Sequence, residues 1–364
     1  MLIVYYITAH GFGHASRSLE VIRQFQKERP GVAVVIRSSV PDWFLATVHG
    51  RVERQPLETD TGMAQIDSLN FDEDETVRKT ERFYRDFDRR VADEAAVLER
   101  LGASLVVSDI PPLPLAAAKR CGIPGIAIAN FTWDWIYEYY PAFDRTAPSV
   151  MPTIRNAYAS AALALRLPFH GGFAPMNGVI RDIPLIARRS TRGRDEIRGL
   201  LDLPTSQPIV LASFGGHTLK LPYADIAAGA RFTLVVTDYE SANGNASASL
   251  RRFKPSELAA KGLTYVDLVA AADVVVSKPG YGIVSECIAN GASLLYTFRG
   301  RFAENAVFDE ALPRVLRSRS IPHDDVMAGR WAGSIEALLS QPEPREQQAT
   351  NGSEVAAREI SAFL

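Results

Sequence analysis

A histidine follows two glycines at the end of the chain's first apolar run. Met1-Leu-Ile-Val-Tyr-Tyr-Ile-Thr8 leads into Ala9-His10-Gly11-Phe12-Gly13-His14-Ala15-Ser16-Arg17. An imidazole changes charge near neutral pH, so a histidine at a strand-to-helix junction can take a proton from a bound substrate. The helix is signalled by Leu19, Val21, Ile22 and Phe25. Taken alone, the motif reads equally as a Gly-rich turn with an incidental histidine. His10 reads as a residue that shapes the same turn.

The sharper signal lies further on, in Ala271-Ala-Asp-Val-Val-Val-Ser277-Lys278-Pro279-Gly280-Tyr281-Gly282-Ile283-Val284-Ser285-Glu286. A buried strand feeds a glycine-bearing loop and then a helix, whose bare amides form an anion site suited to a diphosphate. Glu286, in the first turns of that helix, can accept two hydrogen bonds from a ribose diol. It reads otherwise as an acid stabilised by the helix dipole. Ser213-Phe214-Gly215-Gly216 is another Gly-rich strand end, placed to close over the same phosphates, with His217 beside it. There is no Walker signature and no Gly-x-Gly-x-x-Gly opening a helix, so nothing supports ATP or a nicotinamide cofactor.

Two further groups belong to the first half. Asp109, just after the run Ser104–Ser108, can hold the His14 imidazole in one tautomer if its strand neighbours the first one. Its plainer reading is a helix N-cap before Pro111. The segment 131–140 carries six aromatics in ten positions against 9% over the chain, a density that suits a wall for stacking on a sugar or an apolar acceptor. Ordinary core packing accounts for part of it. Asp72-Glu73-Asp74 and Asp86-Phe87-Asp88 match an Asp-x-Asp metal pattern in form, but both fall at or within a charged helix rather than after a strand, so no metal site is expected. His49, His170 and His323 have no partner pattern.

The elements that must position these groups alternate. Val32–Ile36, Arg51–Gln55, Ser104–Ser108 and Ile123–Ala129 read as strands, with a long amphipathic helix over Asp74–Leu101 and an Ala-rich one over Leu113–Cys121. After the arginine run Arg188–Arg194, read as a solvated hinge, strands are expected at Pro208–Ser213, Phe232–Thr237, Asp273–Ser277 and Ser293–Thr297, and a helix at Tyr281–Asn290. Strands alternating with helices imply parallel sheets, hence an α/β fold. At 364 residues two domains are expected: an N-terminal domain 1–187, a linker 188–207, a C-terminal domain 208–342, and a helical tail 343–364 packing back on the first domain.

Apolar content of 47% and charged content of 23% are globular values, and a net charge of −2 excludes the footprint of a nucleic-acid binder. Cys121 and Cys287 lack metal or disulfide spacing, which suits a cytoplasmic protein. The apolar start is too short to span a bilayer and lacks the pattern of a signal peptide. Peripheral membrane contact, and a monomeric or homodimeric state, are both left open.

Taken together, these motifs resemble a GT-B-type glycosyltransferase over nearly the whole chain. The C-terminal half resembles the branch containing the bacterial N-acetylglucosaminyltransferase that makes lipid II. Tyr6-Ile-Thr-Ala-His-Gly-Phe-Gly-His14 and Asn130-Phe-Thr-Trp-Asp-Trp-Ile-Tyr137 are similar to the glycosyltransferase-like N-terminal region of plant L-arabinokinases and their stand-alone bacterial relatives. Arabinokinase activity itself is not implied. The resemblance implies two Rossmann-like domains with a donor/acceptor cleft between them. It also implies a nucleotide-sugar cosubstrate, UDP-linked, and no further cofactor.

In that frame His14 matches the general base and Asp109 its orienting acid. Gly215, Gly216, Lys278, Gly280, Tyr281, Gly282 and Ser285 fall on the diphosphate side, and Glu286 matches the ribose-binding acid. Backbone near Tyr265 and Val266 receives the base. Glu304-Asn305 stands where relatives carry Gln or Asp/Gln, a departure that leaves the sugar open. Gly11, Phe12, Gly13, Phe131, Trp133 and Trp135 are expected on the acceptor side. The expected activity is metal-independent, inverting sugar transfer. The alternatives are a UDP-sugar 2-epimerase on the same fold and a non-catalytic nucleotide-sugar-binding protein.

Overall fold

The computed structural model describes residues 1–45, 47–48, 50–215, 219, 221–237 and 249–364. Two parallel sheets carry the architecture. The first contains β1 (Leu2–Ile7), β2 (Ala33–Arg37) and β3 (Val52–Gln55). A two-stranded antiparallel hairpin, β4 (Ala64–Gln65) and β5 (Phe71–Asp72), stands apart from it. The same first sheet continues with β6 (Leu105–Asp109), β7 (Gly125–Phe131), β8 (Leu163–Gly171) and β9 (Ile180–Asp182), in the order β3-β2-β1-β6-β7-β8-β9. The second sheet contains β10 (Ile209–Ala212), β11 (Thr233–Thr237), β12 (Leu250–Phe253), β13 (Val274–Ser277), β14 (Ser293–Tyr296) and β15 (Ser318–Ser320), ordered β12-β11-β10-β13-β14-β15.

The central strands read as near-continuous apolar runs because helices cover both faces of each sheet. In both sheets the strand order reverses beside the first strand of that half, β1 or β10. Ligands bind beyond the strand ends at such switch points. Register does the positioning: Ile7 at the end of β1 pairs with Asp109 at the end of β6, and Ala212 of β10 with Val276 of β13.

Several sequence expectations are refined. The long helix over Asp74–Leu101 is two helices, Glu73–Arg85 and Phe87–Leu101, broken at Asp86. Phe83, Tyr84 and Phe87 share one core across the break, so the apolar periodicity runs through the bend and hides it. The arginine run is not a solvated hinge. Arg189 donates to the Ala289 carbonyl, Arg194 to those of Ala270 and Gly291, and Arg198 to that of Ala271. A helix, Arg194–Leu200, lies inside the stretch 188–207, and Ile197, Leu201 and Leu203 are buried in the second sheet's core. Guanidinium groups facing helix-end carbonyls explain why so charged a segment is packed.

The tail helix Gly352–Ser361 buries Ala356, Ala357 and Ile360 in the same core as Ile3, Ala15 and Leu19. An isolated bridge pairs Ile186 with Asn351 ahead of it. The hairpin β4–β5 crosses the other way: Leu69 at its tip is fully buried among Val210, Phe214 and Val236 of the second half. Among the described residues no helix is long and apolar enough to cross a membrane.

Candidate active site

A cleft of about 420 Å³ lies between the strand ends of the two sheets, within the size range of small-molecule sites. Its N-terminal wall starts at Gly11, whose φ of +88° is a conformation glycine adopts without strain, and which precedes the helix Phe12–Glu28. That helix turns His14 and Arg17 toward the end of β6. The His14 Nδ1 lies 2.8 Å from Asp109 Oδ1. An Arg17 terminal nitrogen lies 2.9 Å from the same Nδ1, but it is a donor and cannot receive the ring proton. Asp109 therefore accepts from Nδ1–H, and the lone pair is on Nε2.

Asp109 is fully buried and heavily satisfied. Arg17 Nε and Ser18 Oγ each donate to its Oδ2 at 2.7 Å, while the rest of the Arg17 guanidinium reaches Oδ1 and the Asn130 side-chain oxygen. Despite burial, Arg17 and His14 hold the Asp109 carboxyl well below the usual carboxylate range. The His14 pKa is lowered, by burial first and then by the Arg17 charge, against the pull of Asp109. The imidazole is thus neutral at neutral pH, with Nε2 able to accept a proton. Asp109 is not a helix N-cap; the helix it precedes starts from Pro112.

The C-terminal wall is built by the helix Tyr281–Asn290, which begins after Gly280 with no side-chain cap. Glu286 faces the cleft with its Oε1 2.6 Å from Arg188 Nε; burial pushes its pKa up and the guanidinium pulls it down. Tyr265 lines the same end, donating its hydroxyl to Ser213 Oγ at 2.7 Å. Glu304 is 4% exposed, lines the cleft and has no hydrogen-bond partner among the described residues; burial raises its pKa to about 7. The two walls meet where a Cβ on Gly282 would lie 3.1 Å from Gly13 Cα.

Of the residues expected from sequence, His14, Gly11, Phe12, Gly13, Phe131, Gly215, Lys278, Gly280, Tyr281, Gly282, Glu286 and Glu304 all line this cleft. Others do not. Trp133 is fully buried, donating from Nε1 to Asp60 at 2.7 Å, and Trp135 packs over Gly171 and Gly172. The aromatic segment chiefly supplies core, because one face of its helix Trp133–Glu138 packs inward. Phe12 and Phe44, stacked at 4.9 Å, form aromatic wall instead.

Ser285 returns its hydroxyl to the Gly282 carbonyl at 2.9 Å, and Asn305 donates to the Gly300 carbonyl at 2.9 Å, so neither faces the cleft. Gly216, His217 and His49 lie outside the described residues. His10 does line the cleft, its Nδ1 accepting from the Met63 amide. Asp72 caps a helix through the Glu75 amide, and Asp86 pairs with Arg89. Among the described residues no group of three or more His, Cys, Asp or Glu could hold a metal ion.

Sequence reasoning passed over Arg17, Arg188 and Arg299. Arg17 did leave a signal, since it stands one helical turn after His14.

Two Rossmann-like sheets facing across a cleft, closed by a tail helix returning to the first, define the GT-B fold. The chain superposes on the glycotransferase of kitacinnamycin with a TM-score of 0.67 and 18% identity, covering 100% of this chain and 99% of that one. The calicheamicin glycosyltransferase gives 0.65 and 14%, covering 100% and 98%. The UGT2 of Phytolacca americana, complexed with UDP-2fluoro-glucose and pterostilbene, gives 0.60 and 13%, covering 99% and 94%. In sequence the chain is similar to L-arabinokinase of Arabidopsis thaliana, 28% identical over 98% of the chain. It spans about a third of that relative's length, 34%. No family model matches the chain.

Proposed function

We propose that the protein transfers a sugar from a nucleotide-sugar donor, UDP-linked, to an acceptor hydroxyl, without a metal and with inversion. The observation that carries this reading is the buried His14–Asp109 pair, which lines the same cleft as the uncapped start of the helix Tyr281–Asn290. His14 Nε2 takes the acceptor O–H proton as the oxygen attacks the anomeric carbon. The bond from that carbon to the β-phosphate oxygen breaks, and its electron pair leaves with the nucleoside diphosphate. The amides of the helix Tyr281–Asn290 meet the charge that develops there.

Glu286 and the Tyr265 end of the cleft suit the nucleoside, and Glu304 the sugar. The solved relatives include complexes with a UDP-sugar analogue and with a phenolic molecule, and this supports the same pairing of ligand classes here.

Glu304, a cleft carboxyl that makes no hydrogen bond with a described residue, favours a second reading, a UDP-sugar 2-epimerase. Incubating the protein with a panel of nucleotide sugars, with and without candidate acceptors, separates the two. Acceptor-dependent release of nucleoside diphosphate is the result expected of a transferase. Conversion of the donor sugar with no acceptor would overturn the transferase reading.

A further inference from the structure

At two places a side chain of one half is buried in the core of the other. Leu69, at the tip of the hairpin β4–β5 of the first half, is 0% exposed and packs with Val210, Phe214 and Val236 of the second. Phe302, after β14 of the second half, is 3% exposed and belongs to the first half's core with Phe131, Trp133 and Ile136. Each insertion is held by local structure. Asp67 accepts from the amides of Leu69 and Asn70 at 2.7 and 2.9 Å, a turn closed by its own side chain that fixes the hairpin tip. Tyr140 donates its hydroxyl to the Arg301 carbonyl at 2.9 Å. Arg301 donates in return to the Tyr139 carbonyl at 3.0 Å, with its guanidinium 4.9 Å from the Tyr139 ring centre.

The two insertions are joined. Phe71, two residues after Leu69, stacks on Phe302 at 5.0 Å, and the Arg299 guanidinium lies 5.6 and 5.2 Å from the two ring centres. Lys278 donates to the Ser68 carbonyl beside Leu69 at 2.9 Å. Withdrawing Leu69 therefore pulls Phe71 off Phe302, and withdrawing Phe302 removes the surface on which Phe71 rests.

The covalent crossings between the halves pair with each other. The Leu185 amide donates to the Ala349 carbonyl at 3.1 Å, and the Gly352 amide to the Leu185 carbonyl at 2.9 Å. A chain that crosses twice at one place can bend there as a hinge, and the spacing of the halves is then left to non-covalent contacts. Gln65 of the hairpin and Phe302 both line the cleft, so the joined insertions also form part of its wall.

We propose that Leu69 and Phe302 form a single reciprocal latch, which releases as a unit and so controls access to the cleft. Engaged, it holds the halves at one separation and keeps water from that wall. Released, it lets the halves turn about the paired crossings so that ligands pass. The latch acts on any ligand of the cleft, and its test uses none.

The test combines small-angle X-ray scattering and amide hydrogen exchange on the full chain without ligand, comparing wild type with Leu69→Ser, Phe302→Ser and the control Ile66→Ser. Ile66 is on the same hairpin but 67% exposed. The two latch variants should each show a larger radius of gyration than wild type, and the control should not. The reporters of exchange are the Ile66 amide, bonded to the Asn70 carbonyl, and the Asn305 amide, bonded to that of Phe302. Leu69→Ser should lower protection at Asn305, and Phe302→Ser at Ile66, each by about tenfold or more, while β1 and β13 keep wild-type protection.

A wild-type radius in both latch variants would overturn the proposal. So would loosening confined to the segment that carries the substitution, because the insertions would then release separately. Loss of protection in β1 or β13 as well would overturn it too, since the two side chains would be part of the fold and not a latch.

Discussion

Gly13 and Gly282 touch across the cleft: a side-chain carbon on Gly282 would lie 3.1 Å from Gly13 Cα. The two residues start helices in different halves of the chain, one beside His14 and one at the amide loop. On the proposed mechanism their contact sets the spacing between His14 and the site of the leaving group, and glycine at both positions lets the backbones approach this closely. Gly282→Ala should therefore leave each half folded while forcing the halves apart by a few tenths of an ångström. Steady-state assays should show turnover reduced roughly tenfold to a hundredfold. Wild-type turnover in this variant would mean that the contact does not set the catalytic spacing.

Arg17 helps set the charge state of the His14 imidazole. Burial and the Arg17 charge both lower the His14 pKa, and Asp109 raises it. The unprotonated form therefore persists to pH values below the ordinary histidine range, and the acid limb of kcat should lie below about 6.5. Arg17→Gln removes the lowering charge, so the His14 pKa rises and the limb moves to higher pH. Arg17→Lys keeps the charge and should leave the limb close to its wild-type position. A pH–rate profile of the three proteins checks the sign.

Glu304 titrates where the assay is run. Its pKa is raised to about 7 by burial, with Arg299 and Arg17 opposing. If the ionised carboxylate accepts hydrogen bonds from sugar hydroxyls, donor KM should rise as pH falls from 8 to 6 and this group gains its proton. Glu304→Gln should flatten that dependence. A Gln variant whose donor KM follows wild type across the range would remove Glu304 from the donor site.

The hairpin β4–β5 anchors the halves to each other. Leu69 is fully buried in the second half's core, and Phe71 of the same hairpin stacks 5.0 Å from Phe302. Leu69→Ala should cost roughly 2–5 kcal/mol in urea denaturation. It should also speed hydrogen exchange in residues 64–72 ahead of the rest of the chain. Unchanged stability would show that the tip contributes no net packing energy.

The parts legible in the sequence were those written in consecutive residues. The turn at Gly11–His14 and the helix Tyr281–Asn290 needed only an apolar run, glycines and helical spacing. Arg17 was less legible because its meaning depends on Asp109, ninety-two positions away and brought near by the pairing of β1 with β6. The aromatic segment misled for a related reason. Composition shows that Trp133 and Trp135 are large and apolar, but only packing shows that Trp133 turns inward to Asp60. Leu69, alone in a polar turn, carried no periodic signal at all. The arginines of 188–194 looked solvated because a helix-end carbonyl leaves no mark in the sequence as a counter-charge.

The central claim is that His14 Nε2 removes the acceptor proton. Turnover and donor affinity measured together on His14→Ala test it most directly. A fall in turnover of about 10²–10⁴-fold, with the donor dissociation constant changed by less than about twofold, is the expected result. Turnover close to wild type in His14→Ala would contradict the claim.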